Sequence, residues 1–325
     1  MVRILLARGA NAILVLAAIS LAAFAVSRFL GDPVLVMLGP DHTPAQYEQA
    51  VRDLGLDRSV LYQYGQYLLR ILEGNWGVSY RFNQPVTELL AIRMPATVEL
   101  ASVAMVLSIL IGIPAGVYVA LRPNSIEGGL LSVLMLFAVS LPTFMIGSAL
   151  LLVFSVELMW TPAFGRGDTV ELWNGWTTGL LTSSGRLSII LPALTLSFYQ
   201  TAVIMRLVRV QMTKTLRSDF IRFARARGIH PVRIVFHYAL KATLVPVVTF
   251  IGMQFGGLIA FGIVTETVFQ WPGMGQLLVE SIAVADIPVI STYLVLIGAI
   301  FVTVNLVVDL LYAKLDPRIQ TRASS

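Results

Sequence analysis

Side chains able to do acid–base, nucleophilic or metal chemistry are few in this chain and badly spaced for it. Histidine occurs three times, as His42, His230 and His237, and cysteine not at all. Disulfides, thiol chemistry and thiolate metal sites are therefore excluded. His230 and His237 flank Pro231, which interrupts the helix that a shared ligand role would need. No serine has a histidine partner at a recognisable spacing. A Walker-type glycine-rich phosphate loop is absent, so the chain should not bind ATP by itself. Paired intramembrane carboxylates, which an aspartyl membrane protease needs, are also missing. No catalytic residue and no metal ligand is assigned.

The one concentration of chemistry-bearing side chains is cationic and runs from Asp219 to Pro246. At helical pitch, Leu216, Phe220, Phe223 and Ala224 share an apolar face, with Ser218, Arg222 and Arg225 opposite; Arg227 falls on the apolar side. Gly228 supplies a stop and Pro231 cannot continue the helix by hydrogen bonding. The pattern predicts a short helix, a turn, and a chain that re-enters an apolar run near Val235. A helix with one greasy and one cationic face is suited to docking on a partner. Charge alone favours a plainer reading, a positive-inside topology anchor.

The elements around this segment are membrane spans. The chain is 57% hydrophobic and 13% charged, with mean hydropathy +0.80, far outside the range of a soluble domain. Apolar runs longer than the roughly 18–20 residues that cross a bilayer recur along it. The net charge of +5 is not a nucleic-acid signal, because the basic residues cluster at the ends of these runs. Six spans are predicted: Ala10–Leu30, Ala96–Leu121, Ile126–Val156, Leu187–Val210, Val235–Val264 and Ile287–Tyr312. Residues 1–30 then form the first helix, 31–94 an extracytoplasmic helical insert and 95–314 a five-helix core. Residues 211–234 are the basic loop within that core, and 315–325 are a tail. An even number of spans puts both termini on one side, and the arginines of the loop and termini make that side cytoplasmic.

Inside the insert, Thr43-Pro44-Ala45-Gln46 reads as a capping box with proline at the first helical position. Gly55 stops that helix. Asp57 opens a second one with Leu61, Tyr64, Leu68 and Ile71 on one stripe, which Gly74 ends. At about sixty residues the insert is too small for a large core of its own. Its aromatics Tyr62, Tyr64, Tyr67, Trp76 and Tyr80 fit a ligand path, packing or interfacial anchoring, and packing is the simpler account. The segment 157–186 has loop composition with Trp160, Trp173 and Trp176, and Glu266 to Asp286 reads as a short outer loop. Gly252, Gly256, Gly257, Ala260 and Gly262 offer a close-packing face on the fifth span. Pro114, Pro142, Pro192, Pro246 and Pro288 mark candidate kinks. No span carries the acid or histidine series of a proton-driven carrier. Asp309 is expected to pair with a nearby cation, and Glu99 and Glu157 to be solvated near span ends.

At this point the residues meet a known family. The stretch DFIRFARARGIHPVRIVFHYALKATLVPVVT resembles the loop of the permease subunits of bacterial ABC importers. More narrowly, it resembles the DppB/OppB type of dipeptide, oligopeptide and nickel permeases. The likeness continues in Gly31-Asp32-Pro33-Val34, Leu54-Gly55-Leu56-Asp57-Arg58, Gly74-Asn75-Trp76-Gly77-Val78-Ser79 and Arg93-Met94-Pro95-Ala96-Thr97-Val98-Glu99-Leu100. It resumes at Glu266-Thr267-Val268-Phe269, Trp271-Pro272-Gly273-Met274-Gly275, Asp309-Leu310-Leu311-Tyr312 and Leu315-Asp316-Pro317-Arg318. Where the broad superfamily has Glu-Ala-Ala with a later glycine and Leu-Pro, this chain has Arg222-Phe223-Ala224, Gly228 and Val245-Pro246. Phe223 is bulkier than that pattern expects.

The resemblance implies an all-α, six-span permease of the type I ABC importer kind in a bacterial inner membrane. It implies a homologous second permease, two ATPase subunits that bind ATP and Mg, and an external solute-binding protein. Asp219, Arg222, Phe223, Ala224, Arg225, Ala226, Gly228 and Ile229 become the helix that couples to an ATPase. Glu266, Phe269, Trp271 and Asp286 become candidates for binding-protein contact or an outer gate. The expected solute is a di- or oligopeptide, with nickel chelates, glutathione and other small solutes as alternatives. A stand-alone channel, a secondary carrier and a membrane enzyme are the competing classes. The lack of intramembrane ionisable groups argues against them.

Overall fold

Lipid offers no water to unsatisfied backbone groups, so an apolar run that enters a bilayer must close its own hydrogen bonds as a helix. The computed structural model describes residues 2–29, 34, 38, 43–53, 55–173 and 175–315. Gly31-Asp32-Pro33, His42, Leu54 and the tail from Asp316, together with the side chain of Asp309, lie outside this description. The helices are α1 (Val2–Phe29), α2 (Pro44–Asp53), α3 (Val60–Leu72), α4 (Val86–Leu121), α5 (Ile126–Ser140) and α6 (Thr143–Glu157). After these come α7 (Ser183–Leu216), α8 (Asp219–Ala226), α9 (Pro231–Phe261), α10 (Ile263–Val268), α11 (Met274–Ala283) and α12 (Ile287–Leu315). Among the described residues, five helices are long and apolar enough to span a membrane, and α5 with α6 makes a sixth if the bent pair is one span.

That bend falls at Pro142, one of the candidate kinks, and is sharp enough to break the predicted third span in two. α5 and α6 meet at 108° because Leu141 precedes Pro142 and is driven out of helical geometry, to φ −85° and ψ 135°. Elsewhere the helices run on through proline: α4 through Pro95 and Pro114, α7 through Pro192 and α9 through Pro246. π-Helical turns occupy Leu151–Glu157 of α6 and Ile234–Ala239 of α9. The segment after α6, read as loop from its composition, holds two short strands. Strands β1 (Val170–Trp173) and β2 (Trp176–Thr178) form an antiparallel hairpin, favoured by their Val, Trp and Thr content. Gly175 turns it at φ +82°, and its N–H donates to the Glu171 carboxylate at 2.7 Å. The predicted loop from Glu266 to Asp286 is largely α11 and the end of α10.

Contacts divide the chain into a larger unit, Pro95–Pro272 with the stretch from Thr303, and a smaller one, Val2–Met94 with Gly273–Val302. In the larger unit α7 is the hub. It packs on α5, α6, α9 and α10 and buries Leu191, Ile204, Val208 and Met212 to 2% exposure or less. Lipid tails are as apolar as leucine, so close approach rather than a hydrophobic driving force holds such helices together. Gly112 and Gly116 of α4 allow it: a Cβ on Gly116 would lie 2.7 Å from the Met205 carbonyl oxygen and from Val208. On α9 only part of the predicted small-residue face is used. Gly252 abuts Val308 of α12, whereas a Cβ on Gly257 would meet nothing within 4 Å.

In the smaller unit, the capping box of α2 is present as read. Thr43 N–H donates to Gln46 Oε1 at 2.8 Å and Gln46 N–H to Thr43 Oγ1 at 3.3 Å. The cap of α3 is Ser59 rather than Asp57, its hydroxyl accepting from the Tyr62 N–H. The packed face of α3 is also rotated from the predicted stripe. Leu61 is 84% exposed, while Tyr64 bonds to Ser20 at 2.8 Å and Tyr64 and Tyr67 contact the Phe24 ring.

Gly116→Val should overpack α4 against α7 and cost about 1–3 kcal/mol, seen as a lower melting temperature of the detergent-purified protein. Gly257→Ala should leave it unchanged. Equal melting of both variants would contradict the close approach.

Candidate functional site

The basic segment stops where predicted but differs in its start and its faces: Leu216, read as part of its apolar face, instead ends α7. Ser218, in extended geometry, precedes α8, Asp219 sits in its first turn and Arg225 in its last. These placements suit the positive and negative ends of the helix dipole. Gly228 takes φ +71°, a left-handed conformation that glycine adopts without steric cost, and its N–H donates to the Arg225 carbonyl at 3.0 Å. The buried residues of α8 are Ile221 at 0% and Ala224 at 5% exposure, on the side where α8 packs against the π turn of α9. Phe220 and Phe223, predicted to share a face with Ala224, are instead 48% and 60% exposed. The reason is geometric: 100° per residue puts Ile221 and Ala224 on one side and Phe223 almost opposite Ile221.

The outward face is therefore aromatic and cationic together. The Arg227 guanidinium stands 4.6 Å from the Phe223 ring centroid, which explains its position on the supposedly apolar side. Arg222 pairs with Asp219 at 3.4 Å, with both side chains mostly in solvent, an arrangement worth little stability. Arg222, Arg225, Ala226 and Gly228 are exposed and Ile229 is half-buried.

A second polar site lies inside the larger unit and corrects one expectation. Glu99 is not solvated. It is 8% exposed and pairs with Arg166, itself 7% exposed. The Gly179 N–H donates to Glu99 Oε1 at 3.1 Å, and the guanidinium also donates to the Thr177 carbonyl at 2.8 Å and hydroxyl at 3.0 Å. Arg166 lies 6.0 Å from the Trp271 ring centroid, and Trp271 Nε1 donates to the Ala96 carbonyl at 2.9 Å. Thr97 donates its hydroxyl to Glu266 at 2.6 Å. Arg166 escaped sequence reasoning because it stands alone in a loop; a lone acid at Glu99 in an apolar run was the available signal that a cation must meet it.

In the smaller unit, Asp286 is held by the loop after α3. Ser79 donates its hydroxyl to Asp286 Oδ2 at 2.5 Å, and the N–H groups of Tyr80 and Arg81 donate to the carboxylate at 3.2 and 3.3 Å. Phe82 N–H caps Ser79 Oγ at 3.0 Å. Burial first, and then the Asp286 charge, push the Tyr80 phenol above its usual range. Glu266, Phe269, Trp271 and Asp286 are thus 1%, 1%, 0% and 1% exposed. None offers a surface to another protein in this conformation; they lie in two separate clusters, the first three in the larger unit and Asp286 in the smaller.

Comparison with known proteins gives the family of this chain. Residues 112–321 match the model described as binding-protein-dependent transport system inner membrane component, and residues 1–101 match the N-terminal model of such membrane components. The chain belongs to this family and is a multi-pass inner-membrane protein. The family is the membrane component of ABC importers and has no nucleotide-binding domain, so membership implies ATPase and binding-protein partners. The di/tripeptide transport system permease DppB of Pseudomonas aeruginosa is 38% identical over 316 residues, covering 93% of this chain and 94% of that protein. Dipeptide permease DppB of Escherichia coli K12 is 37% identical, covering 89% and 90%. The glutathione permease GsiC of Escherichia coli is 35% identical, covering 89% of each. Among solved structures, the MetNI methionine ABC transporter in an inward-facing form aligns at TM-score 0.55 and 19% identity, over 71% of this chain and 97% of that one. At that identity it supports the fold.

Removing Glu99 should leave a buried, uncompensated guanidinium. Glu99→Ala is expected to destabilise by about 3–5 kcal/mol, and Glu99→Leu with Arg166→Met to recover most of that loss. Thermal unfolding in detergent checks this, and a double variant as unstable as the single would contradict it. Asp286→Ala strands the Ser79 hydroxyl and two N–H groups and should cost about 1–3 kcal/mol. Faster proteolysis within 75–85 would report it, and unchanged cleavage would count against the nest.

Proposed function

We propose that this chain forms half of the translocation path of an ATP-driven importer of short peptides. A homologous second permease supplies the other half. Two ATPase subunits carry the ATP and Mg, and an external binding protein delivers the solute. Short peptides are supported by the di/tripeptide, dipeptide and glutathione permeases among its relatives, since glutathione is itself a modified tripeptide. Both termini and the α7–α9 loop lie in the cytoplasm on this reading, as the arginines of that loop favour.

The observation that carries the proposal is the division of α8. Ile221 and Ala224 anchor it to α9, leaving Phe220, Arg222, Phe223 and Arg227 for a groove on an ATPase. Arg222 and Arg225 supply charge-assisted contacts and Phe223 an aromatic knob. Closure of the paired ATPases would push α8 and α9 together and switch the spans between states as rigid bodies. Glu266, Phe269 and Trp271 belong on this view to an outer gate, whose buried contacts would have to break when the path opens outward.

Gly228→Trp tests the coupling role. Among the described residues nothing lies within 4 Å of a Cβ there, but φ +71° strains any L-residue by about 1–2 kcal/mol and the bulk falls beside the docking face. Uptake should be abolished and ATPase co-purification reduced, with normal membrane insertion. Normal uptake by a well-inserted variant would return α8 to a topology anchor. A chain that purifies without ATPases yet moves solute in vesicles would make it a carrier.

A further inference from the structure

Within the smaller unit a cavity of about 550 Å³ lies between the last turns of α1, the face of α3 and the Asn75–Asn83 loop, with Pro288, Ser291 and Thr292 of α12 beside it. Its chemistry is one-sided. Arg28 and Arg70 line it, and among the described residues no Asp or Glu does. Neither arginine has an ion pair among the described residues. Two residues of its lining also carry a buried polar atom without a hydrogen-bond partner among the described residues: Arg28 at Nε, a donor, and Gln63 at Oε1, an acceptor. Gln63 is 7% exposed and its Nε2 is fixed by the Leu56 and Arg58 carbonyls at 3.0 and 2.8 Å. Orphaned buried groups of this kind cost stability unless something supplies the bonds. Two cationic side chains in the lining call for an occupant that accepts from guanidinium groups.

Where the cavity sits narrows the choice. α1 is a candidate span ending at Phe29, so Arg28 stands at a membrane–water interface, the depth of phospholipid headgroups. Tyr62, Tyr67 and Trp76 supply an aromatic wall, with Phe24 and Tyr67 in ring contact at 5.7 Å. A free peptide brings an ammonium group for which the lining has no acid. A phosphodiester esterified to a polyol brings one negative charge and neutral hydroxyl donors.

We propose that this cavity binds the headgroup of an anionic polyol phospholipid of the phosphatidylglycerol type. Its phosphate lies at Arg28 and Arg70. The aromatic wall covers the glycerol backbone and first acyl carbons. A zwitterionic ethanolamine headgroup would set a cation beside two guanidiniums. The bound lipid would tie the end of α1 to α3.

Native mass spectrometry of the full-length protein in mild detergent tests this, with phosphatidylglycerol or phosphatidylethanolamine of identical acyl chains added. Phosphatidylglycerol should be retained about tenfold more tightly, one charge-assisted bond's difference. Arg28→Gln and Arg70→Gln should each weaken its retention severalfold without changing lipid-free melting, while Arg122→Gln, outside the cavity, should not. Equal retention of the two lipids, or indifference to both cavity variants, would overturn the proposal. Displacement by a soluble dipeptide would overturn it in favour of a solute vestibule, and displacement by glycerophosphoglycerol at equal concentration would overturn lipid as the source of the headgroup.

Discussion

An eight-residue helix has almost no stability of its own, since isolated helices shorter than about 12–15 residues are marginal in water. α8 exists because the rest of the larger unit holds it. Ser218 begins it, Gly228 ends it at a positive φ, and Ile221 and Ala224 fix it to the π turn of α9. That borrowed order has a mechanical consequence: a load on the outer face cannot move α8 without moving α9. The same division leaves Phe223 and its stacked Arg227 pointing away from the protein, at the cost of an exposed aromatic surface that only a partner would cover.

The two units meet a second constraint, the burial of carboxylates, by related means. Glu99 is received by a guanidinium and a backbone N–H, whereas Asp286 is received by a hydroxyl and two backbone N–H groups and, among the described residues, by no cation. In low dielectric an acid with no such partners would be forced neutral or destabilise the fold. These arrangements link segments far apart in sequence, 99 with 166 and 79 with 286. Family motifs that look like scattered turns, such as Trp76-Gly77-Val78-Ser79, thereby acquire a structural task.

What was legible in the sequence was what local rules decide. Long apolar runs marked the spans, Thr43 with Gln46 marked a cap, and Gly55, Gly74 and Gly228 marked left-handed stops, each with positive φ. The end of α8 followed from the same punctuation. Its buried side did not, because a helix of two turns gives periodicity too few residues to choose between Phe220 and Ile221, and the choice was made by what α9 offers. Leu61 failed for the same reason: tertiary contacts of Tyr64 and Tyr67 with α1 rotated the stripe. The 108° break at Pro142 was visible as a proline but not as a reversal. The burial of Glu99 depended on Arg166, whose place no local pattern indicates.

The most direct test exploits the absence of cysteine. Single substitutions Phe223→Cys and Ile221→Cys would be labelled with a membrane-impermeant maleimide, in the isolated subunit and in the transporter assembled with its ATPases. Position 223 should label readily alone and be protected in the assembly, while position 221 stays unreactive in both. Labelling of 223 that is unchanged by assembly, or equal labelling of 221 and 223 in the isolated subunit, would contradict a helix anchored on one side and docked on the other.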